Sequence, residues 1–522
     1  MEGNSSPRKN ATDTKEGTPT HENGVSSKKE AEAAVEKTPL QRRTGPELSL
    51  AVQPNYDGGS TAPKSTPGCS SGTSGGPSSL SDGVQNDDSS QIYIEYKRRW
   101  FILILFIAYS MSNAFQWIEY SIIANIISKY YGVDAAFVDW CSMLYMVTYI
   151  PLIFPGSWIL QKKGLRFTVI MGSLGTMIGS WIKCASVSPD RFYVTFLGQF
   201  ITACSQIFIL SVPTRLAAVW FGSTQVSTAC SIGVFGNQAG IALGFLIPPM
   251  LVPDSDDVAD VEKGLYIMFF SVAGICTVIF IIILIWFVEK PETVPSGAAA
   301  SSGLAQSSAS YTDIIIRLMK NRSYMLLLIS YGINVGVFYA VSTLLSQIVL
   351  QHFPDENLNA GRIGLLIVVA GMLGSILCGE ILDKTSRFKL VTLTVYLMSL
   401  LFMVAYTFVF DLQVLAFVFV VAGALGFFMT GYLPVGFEFA AELTFPEPEG
   451  TSSGLLNASA QSFGLVFTMA GSALLRSYGD KASNGMLASV LVLGAIITAA
   501  IKEDLKRQKA MRNACIQDGP RT

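Results

Sequence analysis

The sequence predicts an all-α polytopic membrane protein whose 12 transmembrane helices form two six-helix pseudo-symmetric halves. Three observations carry that prediction. Half of the 522 residues are hydrophobic and only 14% are charged, with a mean hydropathy of +0.44, which is too apolar for a soluble chain of this length. The apolar residues fall in runs long enough to cross a bilayer. The longest inner loop follows the sixth run, the layout of two joined half-bundles.

Residues 1–96 are rich in Ser, Gly, Pro, Thr, Glu and Lys and show no apolar periodicity. Such a segment buries too little surface to offset its chain entropy, so a disordered tail is expected. Its polar start and the full length of the first apolar run argue against a removable signal peptide. Spans are expected at about 100–127, 137–160, 167–187, 192–220, 226–249, 265–288, 323–351, 360–382, 389–409, 414–443, 452–476 and 485–501. The first six make an N-terminal half over 97–288, and the last six a C-terminal half over 323–501. A linker over 289–322 joins them; it is Ser, Ala and Gly rich from Gly297 to Ser310, then amphipathic at Asp313-Ile-Ile-Ile-Arg317. A polar tail over 502–522 ends the chain.

Basic clusters assign the sides. Lys97-Arg98-Arg99, Lys162-Lys163 with Arg166, Arg317 with Lys320 and Arg322, Lys384 with Arg387 and Lys389, and Lys502 with Lys506-Arg507 share one side. The opposite loops hold single charges (Lys129, Lys263, Lys481) and the acids Asp254, Asp256 and Asp257. Both termini are therefore expected in the cytosol, which leaves the sequons at Asn4 and Asn10 idle. An internal repeat agrees with two halves. Displacing Phe221, Ser227, Thr228 and Gly240 by 224 residues gives Phe445, Thr451, Ser452 and Gly464, and Asn237 lands on Gln461.

Enzyme chemistry finds no foothold, and no cofactor is expected. The two histidines are His21, in the tail, and His352, near an outer loop, so His-based catalysis and His metal clusters are excluded. Most of the eight cysteines lie inside apolar runs (Cys184, Cys204, Cys230, Cys276, Cys378) without paired spacing, and read as packing. The net charge of −2 says nothing about nucleic acid, but no basic stripe with interleaved aromatics is present, so no nucleic-acid partner is expected. Glu438 and Glu442 are spaced i, i+4 near the inner end of span ten. They read as boundary carboxylates that snorkel or pair with loop cations, a proton site being the alternative. Asp139, near the outer start of span two, reads as another boundary residue.

What remains at mid-membrane is aromatic and amide. In Asn113-Ala-Phe-Gln-Trp-Ile-Glu-Tyr120, the residues Asn113, Gln116 or Trp117, and Tyr120 share a helix face that is costly to turn toward lipid. Trp117 lies seventeen residues beyond Trp100 and Tyr339 sixteen beyond Ser323, which puts both roughly 25 Å from the inner face. Spans one and seven correspond in the two halves, so the rings are expected to be opposite walls of a central cavity. Gln206 in span four and Gln461 in span eleven fall at intermediate depths and can supply hydrogen bonds. The competing reading is an outer aromatic belt, against which stand the polar neighbours Asn113, Gln116, Asn334 and Thr343. Two aromatic faces without a buried carboxylate suit a quaternary ammonium, each ring contributing about 0.5 to 2 kcal/mol. An anion would want buried Arg or Lys, and Lys183, Arg215, Arg362 and Arg476 are all expected toward helix ends. For a monocation a cell-negative potential supplies about 2.3 kcal/mol per 100 mV, so a uniporter needs no coupling ion.

Two loops sharpen the fold. Gly379-Glu-Ile-Leu-Asp383-Lys384-Thr-Ser-Arg387 and Ser157-Trp-Ile-Leu-Gln161-Lys162-Lys-Gly164-Leu-Arg166 resemble the cytosolic loop signature of the major facilitator superfamily. The first copy carries Gln161 where the acid usually stands, and a positively charged inner turn is the plainer reading of both. Beyond these, Phe115-Gln-Trp-Ile-Glu-Tyr-Ser, Val219-Trp-Phe-Gly, Phe235-Gly-Asn-Gln238, Asn359-Ala-Gly-Arg-Ile-Gly364, Gly426-Phe-Phe-Met-Thr-Gly-Tyr-Leu-Pro434 and Gly450-Thr-Ser-Ser-Gly-Leu-Leu-Asn-Ala-Ser-Ala-Gln461 stand out. They resemble the feline leukaemia virus subgroup C receptor family, over about residues 97–510. The resemblance implies a plasma-membrane facilitator of choline and ethanolamine, with haem export an older proposal for one branch. It implies that Trp117 and Tyr339 enclose the ammonium and that Gln206 meets the hydroxyl or amine end. Asn113, Met146, Asn237 and Gln461 would line the pocket. Glu119 stands where glutamine is expected in relatives; it either faces a different direction from Trp117 or, as an extra acid near the site, strengthens cation binding. Haem would ordinarily want an axial ligand or basic groups for its propionates; His352 is the one histidine near a span, and although Tyr, Met or Cys could substitute, haem is disfavoured without being excluded. A dedicated receptor without transport is disfavoured by the shortness of the outer loops, whereas incidental viral envelope contact there needs little surface and stays open. The expected partners are the small-molecule substrate and the lipid bilayer, with the chain acting as a monomer.

Overall fold

The computed structural model describes residues 96–222, 225–291, 293 and 311–509. The expected disordered tail, its sequons, the Ser/Ala/Gly-rich part of the linker and the end of the C-terminal tail lie outside the described residues. Among the described residues the regular structure is helical. Span one runs Arg98–Tyr131 but in pieces: Arg98–Ile118, a 3-10 turn at Ser121–Ile123, and Ala124–Tyr131. Spans two and three share one path, Ala135–Cys184, broken at Gly164. Span four follows as Phe192–Ser205, Ile207–Leu210 and Val212–Trp220, then span five at Val226–Leu251 and span six at Val258–Trp286. The second half repeats the series as Arg322–His352, Asn357–Thr385, Phe388–Val409, Leu415–Thr444, Glu449–Tyr478 and Asp480–Ala500. With the path divided at Gly164, the twelve spans of the major facilitator fold are all present.

Glycine sets how closely these helices cross. In span five a Cβ on Gly240 would stand 2.3 Å from the Met111 carbonyl oxygen of span one. In span seven a Cβ on Gly336 would stand 2.8 Å from the Gly464 nitrogen of span eleven. Lipid offers no hydrophobic drive for helix association, so such small-residue contacts supply much of the packing. Gly240 and Gly464 are the pair related by the 224-residue displacement, and each sits where its helix meets the first span of its half.

A second repeated contact closes each half. Glu289, after span six, accepts from the backbone N–H groups of Leu165 at 2.7 Å and Arg166 at 2.6 Å, at the start of span three. Glu503, after span twelve, accepts from the N–H of Lys389, the equivalent of Leu165, at 3.4 Å. A carboxylate there satisfies unpaired N–H groups and meets the positive end of the helix dipole. Gly164 has φ +86° and ψ −179°, and a Cβ on it would lie 2.3 Å from Glu289 Oε1. Gly164→Ala is therefore expected to cost about 1–3 kcal/mol in backbone strain alone and to displace Glu289. The check is the melting temperature of the purified protein, which should fall more for Gly164→Ala than for Gly175→Ala, where the near atom is the movable Ser205 hydroxyl.

The halves meet along spans two and eleven and along spans five and eight, and the break in span one packs on span seven. Bonds cross between them at the end remote from the chain termini. Gln347 Nε2 donates to Asp139 at 2.6 Å, the Ser472 hydroxyl donates to the same carboxylate, and Arg476 lies 3.5 Å from Asp134. Asn357 of span eight donates to Asp254 at 3.0 Å. Asp139 is thus no boundary residue: it is fully buried, because spans seven and eleven cover it. At the other end Glu438 pairs with Arg507 of the C-terminal segment at 3.6 Å, and Glu442 accepts from the Gln508 N–H at 3.2 Å. The amphipathic part of the linker is the helix Tyr311–Lys320, which buries Ile314 and Leu318 and pairs Arg317 with Glu447.

Candidate functional site

The first helix stops at Ile118 although no proline or glycine lies between Met111 and Tyr131. A helix end leaves its last carbonyls without internal partners. Here neighbouring spans satisfy them: Gln199 Nε2 of span four donates to the Gln116 carbonyl at 2.6 Å, and Ser142 Oγ of span two donates to the Trp117 carbonyl at 2.9 Å. Trp117 is held at the lip of this break, 5% exposed. Its ring meets Tyr339 of the unbroken span seven, with centroids 5.4 Å apart and planes at 75°.

Opposite walls were expected; the structure makes the rings adjoining walls of a corner. Residue counting fixes depth along a helix but not the angle around the bundle, so it placed the rings at one level without showing that they touch. The difference favours cation chemistry. Beside an edge-to-face pair an ammonium can approach both π-faces at once, within about 6 Å of each centroid.

The floor of the corner is Gly464. A Cβ there would stand 3.0 Å from Tyr339 Cδ2 and 3.3 Å from Met146 Sδ, so spans two, seven and eleven converge on this glycine. Buried Gln461 precedes it by one turn on the same side of span eleven. Sequence reasoning used Gly464 only as a repeat marker; its pairing with the tightly crossed Gly240 was the available signal. Gly464→Ala is expected to push Tyr339 or Met146 aside by a few tenths of an ångström and, if the corner is where a solute sits, to raise the KM for that solute severalfold with normal surface expression. Saturation kinetics of uptake check this.

Gln206 interrupts span four, and its Oε1 has no hydrogen-bond partner among the described residues. Asn113 donates to the Thr202 carbonyl at 3.0 Å, which aligns the two spans. Gln206 then lies about two helical turns, roughly 12 Å of backbone height, from the ring pair on the side of the termini. Its own side chain spans part of that gap. The other two expected residues are not brought against the rings. Asn113 also donates to Thr176 Oγ1 at 3.1 Å, so its amide hydrogens tie spans one, three and four. Asn237 Nδ2 donates to Ser110 Oγ at 3.1 Å, two turns from Trp117.

Glu119 is not an additional acid facing the cavity. Its Oε1 accepts from Lys183 Nζ at 2.6 Å, with both side chains nearly inaccessible. Lys183 also donates to Gln199 Oε1 at 3.1 Å and lies 5.7 Å from the Tyr120 ring centroid. The lysine expected near a helix end is buried because spans one and four close over it. Outside the spans, the Lys129 ammonium holds the Asp256 carboxyl below the usual carboxylate range, as an exposed pair at the end remote from the chain termini.

Comparison with known proteins fits this architecture. The Major Facilitator Superfamily profile matches residues 103–469. The chain is 55% identical over 424 residues to the choline/ethanolamine transporter flvcr2b of Danio rerio, covering 81% of this chain and 87% of that one. It is 51% identical over 425 residues to the human choline/ethanolamine transporter FLVCR2, covering 81% of each chain. It is 49% identical over 434 residues to the choline/ethanolamine transporter FLVCR1 of Felis catus, covering 83% of this chain and 77% of that one. A D-xylose–proton symporter structure superposes with a TM-score of 0.58 at 13% identity, covering 78% of this chain and 99% of that chain. The E. coli fucose–proton symporter gives 0.54 at 13%, covering 78% and 98%. At such identity these structures speak for the fold alone.

Proposed function

We propose, for a chain that belongs to the Major Facilitator Superfamily and within it to the feline leukaemia virus subgroup C receptor family, that it carries choline and ethanolamine across the plasma membrane. The protein is a multi-pass membrane transporter and not an enzyme. The observation that carries the substrate reading is the corner of Trp117 and Tyr339, one ring from each half, standing where the halves meet. A quaternary ammonium is weakly hydrated and exchanges its water shell for two π-faces at little cost, without a counter-ion. With the ammonium in the corner, the hydroxyl end points toward the termini, where Gln206 and Gln461 offer amides.

The cycle is alternating access, with both termini in the cytosol. The polar contacts around Asp139 shut the outer end; their rupture, with closure at the other end, would expose the corner to the outside. Both rings come from one chain, so a monomer suffices. The driving force is the substrate gradient plus the membrane potential, about 2.3 kcal/mol per 100 mV for a monocation. Proteoliposomes containing the purified chain should accumulate labelled choline under an inside-negative potassium diffusion potential, with no response to sodium or proton gradients. Uptake that requires either gradient would refute the uniport mechanism. Haem export gains no support, because the His352 ring is stacked on Phe410 and turned toward Asp480, 3.0 Å away, at an outer loop.

A further inference from the structure

Resting on that cation site, we infer that Lys183 is a positioning residue for Trp117 and that Glu119 masks its charge from the transported ammonium. Lys183 Nζ grips two acceptors, Glu119 Oε1 at 2.6 Å and Gln199 Oε1 at 3.1 Å. The two ends of an amide are rigidly related, so the ammonium on Oε1 turns the Gln199 NH₂ group away from itself. That group meets the Gln116 carbonyl at 2.6 Å, an acceptor exposed by the break in span one. The chain of bonds from Glu119 through Lys183 and Gln199 to Gln116 leaves span one and returns to it three residues away. It closes a loop around the segment that carries Trp117. All four side chains are buried, so water does not compete for these bonds.

The same lysine poses an electrostatic problem. A buried ammonium a few residues from a cation site repels the substrate across a poorly screened interior. Glu119 cancels that field at its source. It also explains why this acid is no counter-ion for choline: its charge is already matched. Nothing local in the sequence shows this, since Glu119 and Lys183 lie 64 positions apart. At a separation of about 10 Å and an effective dielectric near 20, one unmasked charge changes cation affinity roughly tenfold.

The test is choline kinetics in proteoliposomes for the wild type, Glu119→Gln, Lys183→Met, the double variant and Gln199→Leu. Glu119→Gln, which unmasks the ammonium, should raise KM about tenfold. Lys183→Met should not raise KM, and the double variant should return KM to within about twofold of wild type. Gln199→Leu, which changes no charge, should lower kcat with KM altered no more than about twofold, as should the double variant, because Ser142 still holds the Trp117 carbonyl while the freed Gln116 carbonyl loosens the break that moves in the cycle. If both single charge variants raise KM and the double is worse than either, the pair is only a structural tie and the inference fails. Should Glu119→Gln not reach the membrane, the double variant still decides: a raised KM overturns the masking, a wild-type KM supports it. Trp117→Ala in the same assay keeps the two readings apart. If it transports choline normally, the cation site itself is wrong; if it does not, while Glu119→Gln has an unchanged KM, only the present inference falls.

Discussion

Choline uptake by the Trp117→Ala/Tyr339→Ala double variant is expected to fall at least 100-fold at substrate concentrations well below the wild-type KM. Each ring face, desolvated as Trp117 is, can contribute up to about 2 kcal/mol to holding a cation. At about 1.4 kcal/mol per factor of ten, one ring accounts for roughly 10- to 30-fold in affinity and the pair for 100-fold or more. Each single variant should therefore show a raised KM, and Trp117→Phe, which keeps a weaker face, should lie between wild type and Trp117→Ala. Removing a buried tryptophan also costs about 3–5 kcal/mol of stability. Initial rates must accordingly be normalised to surface-labelled protein. An unchanged KM in both single variants, at normal surface levels, would remove the aromatic corner from the mechanism.

Asp139→Ala should shift the resting population toward the state with its outer end open. In the present state the Asp139 carboxylate takes a hydrogen bond from Gln347 at 2.6 Å and another from Ser472, both across the interface between halves. Bonds to a charged group are worth about 1.5–3 kcal/mol each. Losing two moves the equilibrium by about 3 kcal/mol or more, at least 100-fold in relative population. A cysteine at Thr343, buried one turn below Gln347, should become labelled by an impermeant maleimide added outside in a background without native cysteines. Asp139→Asn, which keeps an acceptor, should show a smaller change. Labelling that stays at the wild-type rate in Asp139→Ala would show that these bonds do not hold the outer end shut.

Most of the architecture was readable from residue patterns, because a span must satisfy its backbone internally and so writes itself as a long apolar run. The 224-residue displacement was readable too, and it relates Leu165 to Lys389, whose N–H groups are each met by a carboxylate that follows the last span of its half, Glu289 in one and Glu503 in the other. Depth was legible by counting from the helix starts, which placed Trp117 and Tyr339 at one level. Orientation around the bundle was not, since it depends on which helix covers which. For that reason Asp139 was taken for a boundary residue, and although Lys183 does stand in the last turn of its helix, its burial against Glu119 was not legible. The break after Ile118 left no local trace either: no proline or glycine marks it, and its stabilising partners, Gln199 and Ser142, come from two other spans. Gly464 escaped notice as a contact residue for the converse reason, that a residue without a side chain offers no chemistry to flag.

The perpendicular arrangement of Trp117 and Tyr339 bears on selectivity. Two adjoining planes confine a guest on two sides and leave the remaining directions free, unlike a closed four-walled box that measures its occupant. Primary and fully methylated nitrogen centres then experience the same pair of surfaces, and the number of methyl groups is only weakly discriminated there. Preference between choline and ethanolamine accordingly has to be set at the opposite end of the molecule, by whichever amide grips the oxygen, so a swap of Gln206 or Gln461 should re-rank substrates where a change of ring merely weakens them all.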